Sequence, residues 1–191
     1  DGLLLNIPLD EIKHNSVVNL AESGLTSLFP VTGSPQVNYD YYMGSSVAFS
    51  GNEQVDVEGL KFTSIKGLTA ELWFNADDFK SGNACLLSIE NTAAQKGWSI
   101  SVNHEHKNLN LYDYGTKTNY VLFSGIEFGR WIYLALTSDL AGNVTCTVNT
   151  DTAYQGNIPD FASFFNLQDS YKLTVGHCPE TRYYFKGKIS Q

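Results

Sequence analysis

The chain is short of positive charge. Its 191 residues carry 12 Lys and Arg against 20 Asp and Glu, a formal net charge of −8. Phosphate backbones are gripped by basic surface, so this balance argues against nucleic acid and against anionic membrane surfaces as partners. Long apolar runs are missing too: none approaches the roughly 20 residues that span a bilayer as a helix, so membrane insertion is not expected. Cysteine is sparse, with Cys85, Cys146 and Cys178 alone, and no two have the C-x-x-C separation of a zinc or redox pair. Cys146 alternates with Val144 and Val148 and reads as a small buried apolar residue. One disulfide could form in an oxidising compartment, and the sequence does not choose the pair. Charged residues are only 17% of the chain and apolar ones 42%, which is not the composition of a disordered segment. There is no Ser or Cys nucleophile in a recognisable elbow, and no glycine pattern that follows a strand and opens a helix to cradle phosphate.

Helical periodicity is nearly absent, and period-two stretches separated by turn residues take its place. In Leu68–Asn75, residues Leu68, Ala70, Leu72 and Phe74 share one face while Thr69, Glu71, Trp73 and Asn75 share the other, as in a sheet with one side in the core. Strands are expected at Leu3–Leu9, Ser45–Ser50, Gln54–Val57, Leu68–Asn75, Cys85–Glu90, Trp98–Val102, Asn108–Asp113, Tyr120–Phe123, Trp131–Ser138, Asn143–Asn149, Lys172–Gly176 and Phe185–Ser190. The stretch from Gly24 to Tyr42 holds Pro30, Gly33 and Pro35 without alternation and reads as a long loop. Asp160 could cap one turn that gathers Phe161, Phe164 and Phe165 as a core plug. The length fits a single all-β domain over residues 1–191, an antiparallel sandwich. A start at Asp1 and a stop inside a strand at Gln191 suggest an excerpt of a longer protein.

Two phrases carry a resemblance. Met43-Gly44-Ser45-Ser46-Val47-Ala48-Phe49-Ser50-Gly51 runs on into Val55-Asp56-Val57, and Gly129-Arg130-Trp131 opens a strand that closes at Thr137-Ser138-Asp139. Gly67-Leu68-Thr69-Ala70-Glu71-Leu72-Trp73, Gly97-Trp98-Ser99-Ile100-Ser101-Val102, Leu173-Thr174-Val175-Gly176 and Phe185-Lys186-Gly187-Lys188-Ile189 follow the same family order. Together they resemble the laminin G-like domains of concanavalin A-like jelly rolls. The resemblance implies a jelly-roll sandwich that displays loops for binding and rarely carries catalysis. Family members with a structural calcium often have acids where this chain has Ser50 and where it has Ser190-Gln191. No cofactor is therefore expected. A structural calcium is the alternative, with Asp10, Asp40 and Asp56 as its available acids.

The glucanases of this fold use an E-x-D-x-x-E string, which the chain lacks. Glu71 stands alone on its strand, while Glu53, Asp56, Asp77 and Asp78 read as solvated turn acids. His104-Glu105-His106 reads as a polar hairpin tip, so no metal ligand is assigned. The aromatics form three groups: Tyr39, Tyr41 and Tyr42; Tyr112 and Tyr114; Tyr183 and Tyr184. Rings beside hydrogen-bonding groups suit recognition, because each offers large area at small entropic cost. These seven are the candidate ligand-binding residues, and no catalytic residue is assigned. Asn143-Val144-Thr145 is the one N-x-[ST] string, beside a turn, so Asn143 is a candidate glycosylation site.

The expectation is a non-catalytic, secreted or cell-surface module that recognises glycans or extracellular proteins through rim loops. The alternative is a structural interaction domain of a larger surface protein or filament, contacting neighbouring domains or copies of itself. A glycoside hydrolase acting through Glu71 is the third reading.

Overall fold

A computed structural model describes residues 5–21, 28–41, 43–60, 66–80, 82–91, 96–158, 161, 170–179 and 181–190. Two antiparallel sheets are stacked on a shared apolar core. The first runs in the spatial order β1 (Ser16–Val18), β2 (Leu28–Thr32), β5 (Gln54–Leu60), β14 (Tyr171–Val175), β7 (Asn83–Asn91), β8 (Lys96–Asn103), β9 (Asn108–Asp113) and β10 (Thr118–Ser124). The second runs β13 (Asp151–Asn157), β12 (Asn143–Val148), β11 (Ile132–Asp139), β6 (Gly67–Ala76), β17 (Lys186–Ser190), β4 (Gly44–Ser50) and β3 (Gln36–Asp40). The strands β15 (His177–Cys178) and β16 (Tyr183–Tyr184) pair only with each other, as a small hairpin. Among the described residues, no helix is long and apolar enough to cross a membrane.

Alternation decides what faces inward, because successive strand residues point to opposite sides. Val55, Val57, Leu87, Ile89, Trp98, Ile100, Val102, Leu109 and Leu111 fill the inner side of the eight-stranded sheet. They meet Val47, Phe49, Leu72, Phe74, Leu134, Leu136, Val144, Cys146 and Ile189 from the seven-stranded sheet. Gly176 marks how closely the sheets approach: at φ +83°, a Cβ there would run into the Phe49 ring. The expected strand faces of Leu68–Asn75 and Asn143–Asn149 are the observed ones.

Three expectations need correction. Leu3–Leu9 is not a strand over its described part: Pro8 has no N–H to give, and Leu9, buried, turns the chain at φ +54°. Asn6 is held instead through its N–H to the Asn19 side chain at 3.0 Å. The loop expected from Gly24 to Tyr42 contains β2 and β3, with Gly33 turning between them at φ +86°. Pro30 interrupts what is otherwise the inward pair Phe29 and Val31, so the alternation is hidden. Glu53 and Asp56 are not solvated, for each is buried. The turn expected at Asp160 lies outside the described residues except for Phe161, which is buried and stacked on Trp98 with ring centroids 5.4 Å apart.

Cys85 and Cys178 form a disulfide, and Cys146 is a free, buried thiol. Burial pushes the Cys146 thiol up to about 11, which makes it inert rather than reactive at neutral pH.

Candidate functional site

The outer side of the eight-stranded sheet is polar almost throughout. Residues directly opposite one another in an antiparallel ladder share a face, and one row reads Asp56, Thr174, Ser88, Ser99, Tyr112, Asn119 across six strands. A neighbouring row reads Cys85, Ser101, Asn110, Val121. Short side chains occupy the middle: Ser88, Ser99, Ser101 and Thr174 are all buried. Taller ones flank them, with half-buried Tyr112 and exposed Asn119 and Val121 on one side and Lys172 and exposed Glu58 on the other. Floor and walls therefore follow from side-chain length on one sheet face.

The hairpin β15–β16 is fastened to this face. The Cys85–Cys178 disulfide ties it to β7, and the Ser88 hydroxyl donates to the His177 carbonyl at 3.0 Å. The His177 ring stacks on Tyr184, centroids 4.0 Å apart and planes 16° from parallel. Burial holds the His177 imidazole below its ordinary pKa; Asp56 opposes that shift and Lys172 reinforces it. His177 is thus neutral at physiological pH. Asp56 is anchored by Lys172 Nζ at 3.0 Å, by the Gln54 amide at 2.8 Å and by the Thr174 hydroxyl at 3.2 Å.

Two atoms of this face stand out. Asn110 Oδ1 and His177 Nδ1 are buried, yet neither has a hydrogen-bond partner among the described residues. Leaving a buried polar atom unpaired costs about 1–3 kcal/mol, and Asn19 Nδ2 and Ser46 Oγ elsewhere in the fold are likewise without a partner among the described residues. Hydroxyls, amides and a neutral imidazole both donate and accept, which suits a ligand rich in hydroxyl groups.

The seven candidate tyrosines do not converge on one place. Tyr112 lies on the polar face, in edge contact with Tyr114 at 5.6 Å. Tyr114 itself is buried, 3% exposed. Tyr183 and Tyr184 are in the fastened hairpin, each a little over one-third exposed. Tyr39 and Tyr41, 78% and 83% exposed, belong to the far edge of the other sheet, and Tyr42 lies outside the described residues. The structure therefore joins Tyr112 and Tyr184 on one face and leaves Tyr39 and Tyr41 elsewhere. Sequence reasoning misses Ser88, Ser99, Ser101, Asn110, Lys172 and His177. Their signal is the polar half of the alternation in β7, β8 and β9, where Ser and Asn recur at outward positions.

Other candidates have local partners. Glu71 is exposed on the seven-stranded sheet and bonded to the Tyr133 hydroxyl, whose pKa is raised by burial and by that carboxylate. His104 pairs with Asp78 at 3.0 Å and stacks on Phe128, as a hairpin tip would. Asp40 accepts from Trp131 Nε1 at 3.2 Å, in the opposite sheet from Asp56. Among the described residues, no group of three or more His, Cys, Asp or Glu is placed to hold a metal ion. Asn143 is exposed at the start of β12, with its amide donating to Asp139 at 2.8 Å.

Residues 49–191 match the concanavalin A-like lectin/glucanases superfamily, and the chain belongs to it. Among solved structures, domain 4 of AbnA, an extracellular GH43 arabinanase from Geobacillus stearothermophilus solved with arabinotriose, aligns with a TM-score of 0.73 at 16% identity. That alignment covers 98% of this chain and 88% of that one. The chain also resembles botulinum neurotoxin type C, solved in a study of cell entry dependent on two ganglioside molecules (TM-score 0.62, 14% identity, 97% of this chain and 47% of that one). The binding domain of botulinum neurotoxin DC, solved with rat synaptotagmin II, is similar at TM-score 0.62 and 15% identity, over 98% of this chain and 48% of that one. This chain spans about half the length of those toxin chains. At such identities the likeness is one of fold. No curated protein sequence matches.

Proposed function

We propose that the chain is a non-catalytic, secreted or cell-surface module that binds a saccharide on the outer face of its eight-stranded sheet. The observation that carries this reading is the pair of buried, unpartnered atoms Asn110 Oδ1 and His177 Nδ1 on a floor of Ser and Thr hydroxyls. Tyr112 on β9 and Tyr184 on the hairpin fastened to β7 supply ring faces beside it. Sugar hydroxyls would satisfy the floor while the rings cover the apolar sugar faces. The recognition of arabinotriose and gangliosides by proteins of the same fold supports a glycan ligand. The disulfide supports an oxidising, extracellular setting. Asp56, already paired with Lys172, serves as an acceptor held in place rather than as an acid or base.

A glycan array followed by calorimetry tests the proposal. The expected result is binding of a defined saccharide class that weakens at least about tenfold, or 1.4 kcal/mol, in Asn110→Ala and in Tyr112→Ala. Tyr39→Ala leaves it unchanged. An array without a hit, or binding that Tyr39→Ala abolishes and Asn110→Ala does not, overturns it.

A further inference from the structure

The outward row across the eight-stranded sheet is covered toward one end and uncovered toward the other. Thr174 and Ser88 are each 0% exposed and Ser99 is 3% exposed, whereas Tyr112 is half-buried and Asn119 is exposed. The β15–β16 hairpin lies at the covered end, with both of its strands against β7. It is pinned at its base and near its turn. The Gly176 N–H donates to the Leu86 carbonyl at 2.9 Å and the Phe185 N–H to the Gly176 carbonyl at 2.8 Å. Closer to the turn, the Cys85–Cys178 disulfide holds it to β7.

Beyond the hairpin, short outward side chains lie on β8 and β9, as Ser99, Ser101 and Asn110. A floor two strands wide is roughly 10 Å across. It has two closed sides: the hairpin toward β7, and the rings of Tyr112 and Tyr114, which meet in edge contact at 5.6 Å, at one end of the strands. Two ways out remain. One leads over β10, the edge of the sheet among the described residues, and the other past half-buried Asn103 and Asn108. A straight chain laid along the row is stopped by the hairpin, and one laid along the strands is stopped by the tyrosine pair. What fits into this corner is an end.

The chemistry of a chain end suits the corner. A terminal sugar unit differs from an internal one by a hydroxyl that no glycosidic bond has consumed. Asn110 Oδ1 accepts from such a hydroxyl, and the neutral His177 imidazole donates or accepts at Nδ1 according to its tautomer. The two ends of a glycan are not equivalent. A reducing end interconverts between anomers, so a rigid site meets its matching form in only a fraction of the molecules, and apparent affinity falls by that fraction. A non-reducing end has one fixed form. We infer that the module recognises the non-reducing end of a glycan chain, with the terminal unit seated against Asn110 and His177 and the rest of the chain leading away from the hairpin. This inference rests on the saccharide reading and narrows it from hydroxyl-rich ligands in general to chain tips.

Calorimetry of the whole chain against linear arabinan, xylan, mannan and mixed-linkage glucan, and against their oligosaccharides from disaccharide to hexasaccharide, tests it. In the series that binds, affinity is expected to level off by the trisaccharide, and each polysaccharide chain to take up a single module at saturation. Borohydride reduction, which opens the sugar ring at the reducing end, is expected to change oligosaccharide affinity by less than about twofold. His177→Ala is expected to weaken disaccharide and hexasaccharide by the same factor, at least about tenfold. Several modules on one polysaccharide chain, affinity that climbs with every added unit, or binding lost on reduction each overturns the chain-end inference and leaves the saccharide reading standing. Binding to none of the four series overturns the inference together with the reading beneath it. Should His177→Ala unfold, the wild-type stoichiometry decides.

Discussion

Replacing Glu53 by Gln should loosen the turn that links β4 to β5, and the effect should vanish in acid. Glu53 is 4% exposed, and its carboxylate is a hub of donors. Oε2 accepts the Ser50 N–H at 2.6 Å and the Gly51 and Asn52 N–H groups at 3.2 Å each, while Oε1 accepts the Ser50 hydroxyl at 2.5 Å. Burial by itself raises the pKa, but the hydrogen bonds from the Ser50 hydroxyl and from the N–H groups of Ser50, Asn52 and Gly51 outweigh it. The folded value therefore falls below the ordinary 4.5. Because the folded pKa is depressed, the stabilisation is complete above the unfolded value and is lost as pH falls through the folded one. Hydrogen bonds to a charged acceptor contribute about 1.5–3 kcal/mol each in favourable cases, and Gln keeps one acceptor but turns an amide N–H2 toward the other donors. A net loss of about 2–3 kcal/mol follows, or roughly 4–12 °C in melting temperature for a chain of this size. Melting followed by circular dichroism from about pH 7 to about pH 3 measures it: wild type should exceed Glu53→Gln near neutrality, with the gap closing below about pH 4.5. A gap that stays constant across that range, or no gap at pH 7, would refute the reasoning.

Further outcomes follow from other features. Cys178→Ser opens a loop spanning 93 residues and should cost about 4–5 kcal/mol on a chain-entropy basis, seen as a lower denaturation midpoint, together with loss of saccharide binding as the hairpin lifts away. Gly97→Ala, at φ +133°, would drive a Cβ into the Ile89 carbonyl oxygen and should destabilise by about 3 kcal/mol in urea titration. His177, with its pKa held down by burial, contributes stability above its ordinary 6.5 that is lost as pH falls toward the folded value, so His177→Gln should flatten the melting profile in that window. From a secreting eukaryotic source, Asn143 should carry a glycan; intact mass before and after glycosidase treatment should differ, and an unmodified mass would count against it.

The core is the most legible part of the sequence. Strands with an apolar inner side, such as Leu72 with Phe74 and Val144 with Cys146 and Val148, declare themselves by period two. Edges do not: β3 and β13 bury little, so their side chains carry no alternating constraint, and the first reads as loop while the second escapes notice. The candidate site is half visible. Outward Ser and Asn in β7, β8 and β9 look the same whether they meet bulk water or line a floor. Only the pairing of Ser88 with Ser99 and Tyr112 turns them into one surface. Pairings between positions far apart, such as Cys85 with Cys178 and His177 near Asp56, depend on strand order, which local patterns do not encode. Glu53 misleads for the opposite reason, since a carboxylate in a Ser-Gly-Asn turn usually faces solvent and here folds back onto the turn's own N–H groups.

Strands β14 and β17 come late in the sequence, and both are interior strands. The first lies between β5 and β7, the second between β6 and β4. Ser190 closes on the carbonyl of Ser45, 145 positions earlier. During translation, at about 5–20 residues per second, each nascent sheet must therefore wait with a strand-wide gap in its middle. The ribosome releases four unpaired strand flanks before it releases the two segments that fill them. Such non-local closure is slow, and it exposes the apolar sides of β4, β5, β6 and β7 for as long as it lasts. A chain lacking residues 171–190 would not be a smaller domain; it would be four part-sheets with sticky inner edges, and aggregation during expression should begin with that truncation.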